Sequence, residues 1–515
     1  MLKKDRASKS YKEIGVCIKN WRGKIPVSIV FPNSYYVGMS NLALHLLYKT
    51  LNDIPEVVCE RVFFEKDLSP LSMESKRPLK SFELVFFTLS FELDYVNVVK
   101  ILNASNININ SKERKENEPI IVAGGPLVMA NPEPIHGFFD LFLLGDIEAI
   151  IEEFMETYIN NKFKKRSDII EELSTNAWVY NPRKLKVIYN EDGTISKFEP
   201  ENFHVSIKRY NGDNLAKSLI ITDNTEFSRM FLLEGTRGCP SRCPFCLIGN
   251  LYKFIYDKNL YTPYDVEDVG IIGGGLSFHP NLEEVIAAFR KKGISVHFPS
   301  LRIDKTPLSV IEMVKDSIKT LTFGIEAGSE HLRAFIGKPI KDLQILERIN
   351  EVMALKSFHL KLYFMVGLPK ETKKDVEAIV DITKKIKHVM LKQGIKKKAM
   401  GNITVHISPF VPKPATPFQR QPMEHMETLK EKISYLKKSI DKIDNAIFTH
   451  ESIKFSFLQA VFARGDRKVS DIVLRLSKGE SLLKVMRDSP INLNFYALRE
   501  RDEGELLPWA FISIP

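Results

Sequence analysis

Cysteine is scarce in this chain: five residues in 515. So small and odd a number cannot build the disulfide framework of a secreted scaffold. Nowhere do eighteen apolar residues follow one another, so no segment reads as a membrane span. The start, MLKKDRASKSYKEIG, lacks the apolar core of a secretory signal. These absences make the cytoplasm the expected compartment and leave no expectation of a membrane partner. What is scarce is also concentrated. Cys239, Cys243 and Cys246 fall within eight positions of the segment EGTRGCPSRCPFCLIGN, Glu234 to Asn250. In a reducing compartment, a tight thiol cluster points to metal or redox chemistry.

The remaining composition is that of a soluble globular enzyme, with 44% hydrophobic and 10% aromatic residues. At this length two or three domains are expected. The net charge is +10, which gives only weak support to a nucleic-acid partner. Lys and Arg are spread along the chain, and the dense runs KFKKR (Lys162 to Arg166) and KQGIKKKAM (Lys392 to Met400) sit between apolar elements, as solvated loops do.

From Pro26 onward, short β-rich runs alternate with helical stretches. PVSIVF, ELVFFTLS, PIIVAGGP and DLFLLGD read as strands, and NLALHLLYKTL and EAIIEEFMETY as helices. Continuous apolar strands between helices indicate a doubly wound parallel sheet over residues 1–161. Ligands of such sheets settle at the carboxyl ends of strands, which here are Asn33 to Asn41 and Gly124 to Pro126. The polar stretch Asn103 to Glu118 reads as a surface connection. Residues 162–227 read as a bridge, with the turn EDGT predicting a hairpin. A second series of six strands begins at RMFLLEG and continues through VGIIGGG, SVHFPS, TLTFGIE, LKLYFMVG and ITVHIS. Repeated right-handed crossovers would curl residues 228–421 into a partial (β/α)6 barrel, with the cysteines in the loop after its first strand. One helix of this series opens with Thr372 and Asp375 at capping-box spacing. After Gln419 the pattern turns helical, giving a C-terminal region over residues 422–515.

The spacing C-x3-C-x2-C, with Gly238, Pro240 and Pro244 favouring a compact path, needs an explanation for its missing fourth ligand. Structural zinc commonly takes four protein ligands, and so does a ferredoxin-type cluster. Cys17 and Cys59 are remote and read as buried strand or helix-edge residues. Three ligands leave a coordination position open, as catalytic metal centres do.

At this point the chain resembles the radical S-adenosylmethionine (SAM) superfamily, whose signature is C-x3-C-x-(aromatic)-C, with Phe245 in the aromatic place. The resemblance implies a 4Fe–4S cluster on Cys239, Cys243 and Cys246, with the methionine end of SAM chelating the fourth iron. It also implies an external reductant of flavodoxin or ferredoxin type, whose electron cleaves SAM to a 5′-deoxyadenosyl radical. Four further segments agree. GGGLS supplies a glycine turn (Gly273, Gly274, Gly275) that in the family meets the cofactor's amino group. SLRID supplies Arg302, GIEAGSEHLR supplies Glu326 and Ser329 for the ribose, and KLYFMVGLPKET supplies Lys361.

The N-terminal segments FPNSYYVGMSNLALHLLY and IVAGGPLVMANPEPI resemble the cobalamin-binding-type domain that precedes many such barrels. The match is closest to a largely uncharacterised subgroup that also carries ARGDRK (Ala463 to Lys468) and LLPW (Leu506 to Trp509). The D-x-H-x-x-G motif of cobalt ligation is absent, and His45 and His136 stand in other contexts. Either cobalamin binds with no histidine below it, or the domain keeps the fold and binds something else. With cobalamin the implied chemistry is methyl transfer. Without it, radical modification of RNA or protein, or a non-catalytic iron–sulfur regulator, is the alternative. The substrate is not legible.

Overall fold

The computed structural model describes residues 11–65 and 69–514. Six strands form the N-terminal sheet: β1 (Ile25–Phe31), β2 (Val57–Phe63), β3 (Leu84–Thr88), β4 (Ile120–Gly124), β5 (Leu141–Leu143) and β6 (Val179–Tyr180). Their spatial order is β2-β1-β3-β4-β5-β6, parallel except where β6 meets β5. Almost every residue of β1 to β5 is buried. Helices cover both faces, which is why these strands carry few polar residues. The winding reverses between β1 and β3, so the crevice for a ligand opens at the carboxyl ends of this sheet.

β2 is a strand that the apolar pattern does not announce, because VVCERVF carries Glu60 and Arg61 in its middle. Both charges are buried with partners. Arg61 donates to Glu13 at 2.6 Å and to Glu74 at 2.7 Å, and Glu60 accepts from Trp21 Nε1 at 2.6 Å. Cys59 lies buried on this strand, whereas Cys17 is half-buried in an extended segment outside any regular element. The stretch Asn103 to Glu118 is likewise more than a surface connection. Arg114 is drawn into the interior, where it meets the buried carboxylate of Asp140 at 2.8 Å.

Within residues 162–227, a helix (Arg166–Leu173) and β6 attach to the N-terminal sheet. The EDGT turn closes an antiparallel hairpin of Lys186–Tyr189 with Ile195–Glu199, as predicted. The second series follows as β7 (Phe231–Arg237), β8 (Asp268–Gly273), β9 (Ser295–His297), β10 (Thr320–Glu326), β11 (His359–Val366), β12 (Ile403–Pro409) and β13 (Ala446–His450). They lie in two parallel groups, β7-β8-β9 and β10-β11-β12-β13, which a parallel bridge between Leu301 and Phe323 connects. The capping box at Thr372 and Asp375 is present. β13 corrects the reading of a helical region after Gln419, which expects no strand at AIFTH. AIFTH is too short to signal itself behind the long amphipathic helix Met426–Ile440, yet it pairs in register with β12.

The rest of the C-terminal region is mainly helical, ends in a short strand, Ile512–Ser513, paired in parallel with Val205–Ser206, and reaches back to the N-terminal domain through the ARGDRK segment. Asn131 Nδ2 donates to the carbonyls of Ala463 and Gly465 at 3.0 and 2.8 Å. Arg467 Nε donates to Glu133 at 2.6 Å, and its Nη2 to the Tyr180 hydroxyl at 2.8 Å. No helix among the described residues is long and apolar enough to cross a membrane.

Candidate functional site

The cysteine loop leaves β7 through Gly238, whose φ is +71°. A Cβ there would stand 2.6 Å from the Lys253 carbonyl, so only glycine lets the loop turn this tightly. Cys239 and Cys246 are half-buried and Cys243 is buried. Asn250 knits the loop by donating to the carbonyls of Cys243 and Cys246 at 2.9 and 2.8 Å. Arg302 ties it from outside, donating to Ser241 Oγ at 2.8 Å while its other nitrogens grip Asp304 in a bidentate pair at 2.9 Å. Burial pushes the Cys243 thiol up, opposed by the cations of Lys338 and Arg302. The Cys246 thiol is pushed up by burial too, opposed by the N–H groups of Gly249 and Ile248 at the helix it precedes. Among the described residues no three His, Cys, Asp or Glu side chains gather closely enough to hold a single metal ion. Thiolates of an iron–sulfur cluster bind different irons and need not converge on one point. By donor chemistry, three thiols in one loop suit a cluster that leaves one iron to another ligand.

The glycine turn at the end of β8 lies directly against this loop. A Cβ on Gly275 would be 3.0 Å from the Gly238 carbonyl and 3.3 Å from Cys239 Cα. One on Gly274 would be 3.0 Å from the Ile248 side chain, and one on Gly273 2.3 Å from Thr236 Oγ1. Close packing on β7 thus demands glycine at position 273, and packing on the cysteine loop favours it at 275. Phe245 sits in a small apolar cluster with Phe335, Phe410 and Phe418, which anchors the loop's far end.

Glu326 ends β10 with φ +71°, an uncommon backbone for a non-glycine residue that concentrates at functional sites. Its carboxylate accepts from Lys338 Nζ at 2.7 Å, and Lys338 also donates to the Gly324 carbonyl at 3.1 Å. Sequence reasoning missed Lys338, since a lysine between Gly337 and Pro339 reads as a surface turn. Instead it is buried and faces both Glu326 and Cys243. Ser329 caps the helix Glu330–Phe335 and donates to Asp375, so its hydroxyl is already engaged. Lys361 lies near the amino end of β11 with its ammonium 5.1 Å from the Tyr363 ring centre, outside the group that the structure brings together.

On its other side the loop opens on a cavity of about 520 Å³ between the two domains. One wall is the carboxyl-end rim of the N-terminal sheet, including Asn41, Gly124 and Pro126; the other includes Gly238, Ile248, Tyr252 and Gly273. Asn33, expected on the rim, instead donates to Asp94 at 2.9 Å. A Cβ on Gly124 would meet nothing nearer than 3.9 Å, so this backbone is bare toward the cavity. Thr236 Oγ1, also on the wall, is buried and without a hydrogen-bond partner. Arg237 bridges the two walls, donating to Glu148 of the N-terminal domain at 2.8 Å and to Glu234 at 2.7 Å.

No histidine lines this cavity. His45 donates from Nε2 to the Met39 carbonyl at 3.0 Å and accepts at Nδ1 from the backbone of Leu219 and Ile220. Burial pushes its pKa down to about 4. His136 is pushed down to about 3, by burial and then by Arg467.

Residues 43–182 match the family model described as radical SAM proteins, N-terminal. The chain is 29% identical over 490 residues to an uncharacterized protein of Methanocaldococcus jannaschii, covering 93% of this chain and 97% of that one. An uncharacterized methyltransferase of Pyrococcus horikoshii is 24% identical over 319 residues, 58% of this chain and 63% of its own. Among solved structures, that of the cobalamin-dependent S-adenosylmethionine radical enzyme OxsB with aqua-cobalamin bound aligns with 80% of this chain and 62% of that one. Its sequence identity is 12% and the TM-score 0.47. These two alignments thus span under two thirds of the methyltransferase and of that OxsB chain. The family model bears out the resemblance to radical SAM proteins read from the sequence.

Proposed function

We propose that this chain is a radical SAM enzyme that holds a 4Fe–4S cluster on Cys239, Cys243 and Cys246, cleaves SAM reductively, and transfers a methyl group. The observation that carries the reading is the setting of the three-thiol loop. It is packed on a glycine turn, backed by the cations of Lys338 and Arg302, and open on a cavity between two domains. When bound, the cluster supplies one electron and an iron position free for SAM. The chain's own part is to hold the thiolates, orient SAM and exclude water. Lys338 and Arg302 favour the thiolate form of Cys243. Glu326, pinned by Lys338, keeps carboxylate lone pairs free to accept hydroxyl groups of the cofactor. With a low-potential chemical reductant, the anaerobically reconstituted protein should turn SAM into 5′-deoxyadenosine and methionine. A protein that takes up zinc but no iron, or that leaves SAM intact, would overturn the reading.

Glu326→Ala should weaken SAM binding by about 1–3 kcal/mol, the cost of removing a buried polar partner. Equilibrium dialysis with labelled SAM measures it, and an unchanged affinity would take Glu326 off the site.

Methyl transfer is supported by the named relative from P. horikoshii and by the bare glycine rim of the cavity, against which part of a cobalamin could lie. A bare glycine rim and mostly apolar walls suit a broad, flat ligand. With no histidine on the walls, bound cobalamin should show no histidine nitrogen coupling in its cobalt(II) paramagnetic resonance spectrum. His136→Ala should retain it, as should His45→Gln, which keeps a hydrogen-bonding group in place. A nitrogen splitting that changes when the protein's histidines are labelled with nitrogen-15, or failure to retain cobalamin while the cluster is intact, would refute this part.

A further inference from the structure

A second hollow, of about 380 Å³, lies against the cysteine loop and shares no lining residue with the interdomain cavity. Its walls include Pro240, Ser241, Phe278, Lys305, Gly337 and Pro339. Two of these belong to the loop itself, and the Gly337 carbonyl stands 3.7 Å from Cys243 Sγ. The hollow thus reaches the loop that carries the thiols from the solvent side. Lys305 on its wall is exposed, and so are Arg242 and Lys341, which follow the wall residues Ser241 and Pro339 by one and two positions. Among the described residues none of these three cations has an ion-pair partner. The one acid on the wall, Asp304, is taken by Arg302. On the same wall Pro240 and Pro339 expose apolar surface, as does Leu343 beside the wall residue Gln344.

We propose that this hollow is the docking face of a small acidic electron-carrier protein. The inference rests on the function proposed above, which needs one electron from outside for each cleavage. That electron leaves the carrier, which is oxidised, and enters the cluster on the three cysteines, which is reduced. No bond is made or broken between the two proteins. A small apolar surface beside unpaired cations suits a transient partner of opposite charge, because such contacts are small and gain speed from steering. Single-stranded RNA would need exposed aromatic faces on which bases stack. The one aromatic ring of this hollow, Phe278, is only half-exposed and has the Arg302 guanidinium 5.7 Å from its centre.

The test is stopped-flow reduction of the reconstituted holoenzyme by reduced flavodoxin, followed at the cluster absorbance in low salt. Lys305→Glu/Lys341→Glu should slow the reaction about tenfold or more, since steering accounts for one to three decades of association rate. Added salt should slow the native protein toward the variant. Reduced methyl viologen, a small donor that needs no docking face, should reduce both proteins alike. Lys392→Glu/Lys396→Glu carries the same charge change at the far end of the long helix Lys373–Lys397 and should leave the flavodoxin rate unchanged. Equal rates for the two double variants with flavodoxin would overturn the docking face, as would oligonucleotide binding lost in the first variant while its flavodoxin rate stays native. If methyl viologen yields no 5′-deoxyadenosine from native protein, the enzymatic reading itself fails and the docking face falls with it. If it does yield the product, only the docking face is at stake.

Discussion

Replacing any one of Cys239, Cys243 or Cys246 by alanine should empty the chain of iron and take 5′-deoxyadenosine formation to background. In the proposed cluster each thiolate would hold a different iron, so two remaining ligands would leave a second corner open to solvent and oxidation. Cys17→Ala should retain the native iron content. Cys59→Ala should do so too, although it removes a sulfur from a packed strand and lowers stability. Iron analysis and product chromatography on the five variants decide the matter. Native iron content in any of the three loop variants would sink the assignment. The Cys17 variant matters as a control because its thiol is half-buried outside any element, so iron lost there would mean a ligand outside the loop.

Asp140→Ala should destabilise the N-terminal domain by at least about 3 kcal/mol, the range seen when one partner of a buried ion pair is removed. Its carboxylate is fully buried and accepts from Arg114 at 2.8 Å, Arg166 at 2.6 Å and Arg183 at 3.0 Å, and from the Ile121 N–H at 2.9 Å. Without it, the buried guanidinium groups of Arg114 and Arg166 face one another with no anion between them. Arg183, whose side chain is 32% exposed, should cost far less on replacement by alanine, about 1 kcal/mol or less. Denaturant unfolding followed by circular dichroism measures both. A loss below about 1 kcal/mol for Asp140→Ala would show that water reaches the cluster and screens it.

The same cluster shows why some of the fold was legible and some not. Strands such as PIIVAGGP announce themselves because they are apolar throughout, a consequence of burial on both faces of a parallel sheet. VVCERVF does not, since its two charges find partners at Glu13, Glu74 and Trp21, which only the folded chain brings near. Arg114 sits in a polar run that looks solvated, and the anion that buries it lies 26 positions downstream. The candidate site divides in the same way. The three cysteines and the glycine turn are local spellings, read from spacing. Lys338 and the Arg237–Glu148 bridge between the cavity walls are pairings between distant positions, which no single sequence displays. Ser329 and Lys361 were placed by motif, and local geometry gives each another task.

The contacts of the ARGDRK segment with the first sheet bear on how the protein is made. Glu133 and Arg467 are 334 positions apart. At about 5–20 residues per second, the ribosome needs roughly 17–67 seconds to deliver the arginine after the glutamate has been synthesised. Through that interval the N-terminal domain has no cation for Glu133 and no carbonyls for Asn131. Both are among its most buried polar groups in the finished protein. The first domain must therefore wait, partly unsatisfied, for the last quarter of the chain, and its dependence on chaperones should be greatest before residue 467 has left the ribosome.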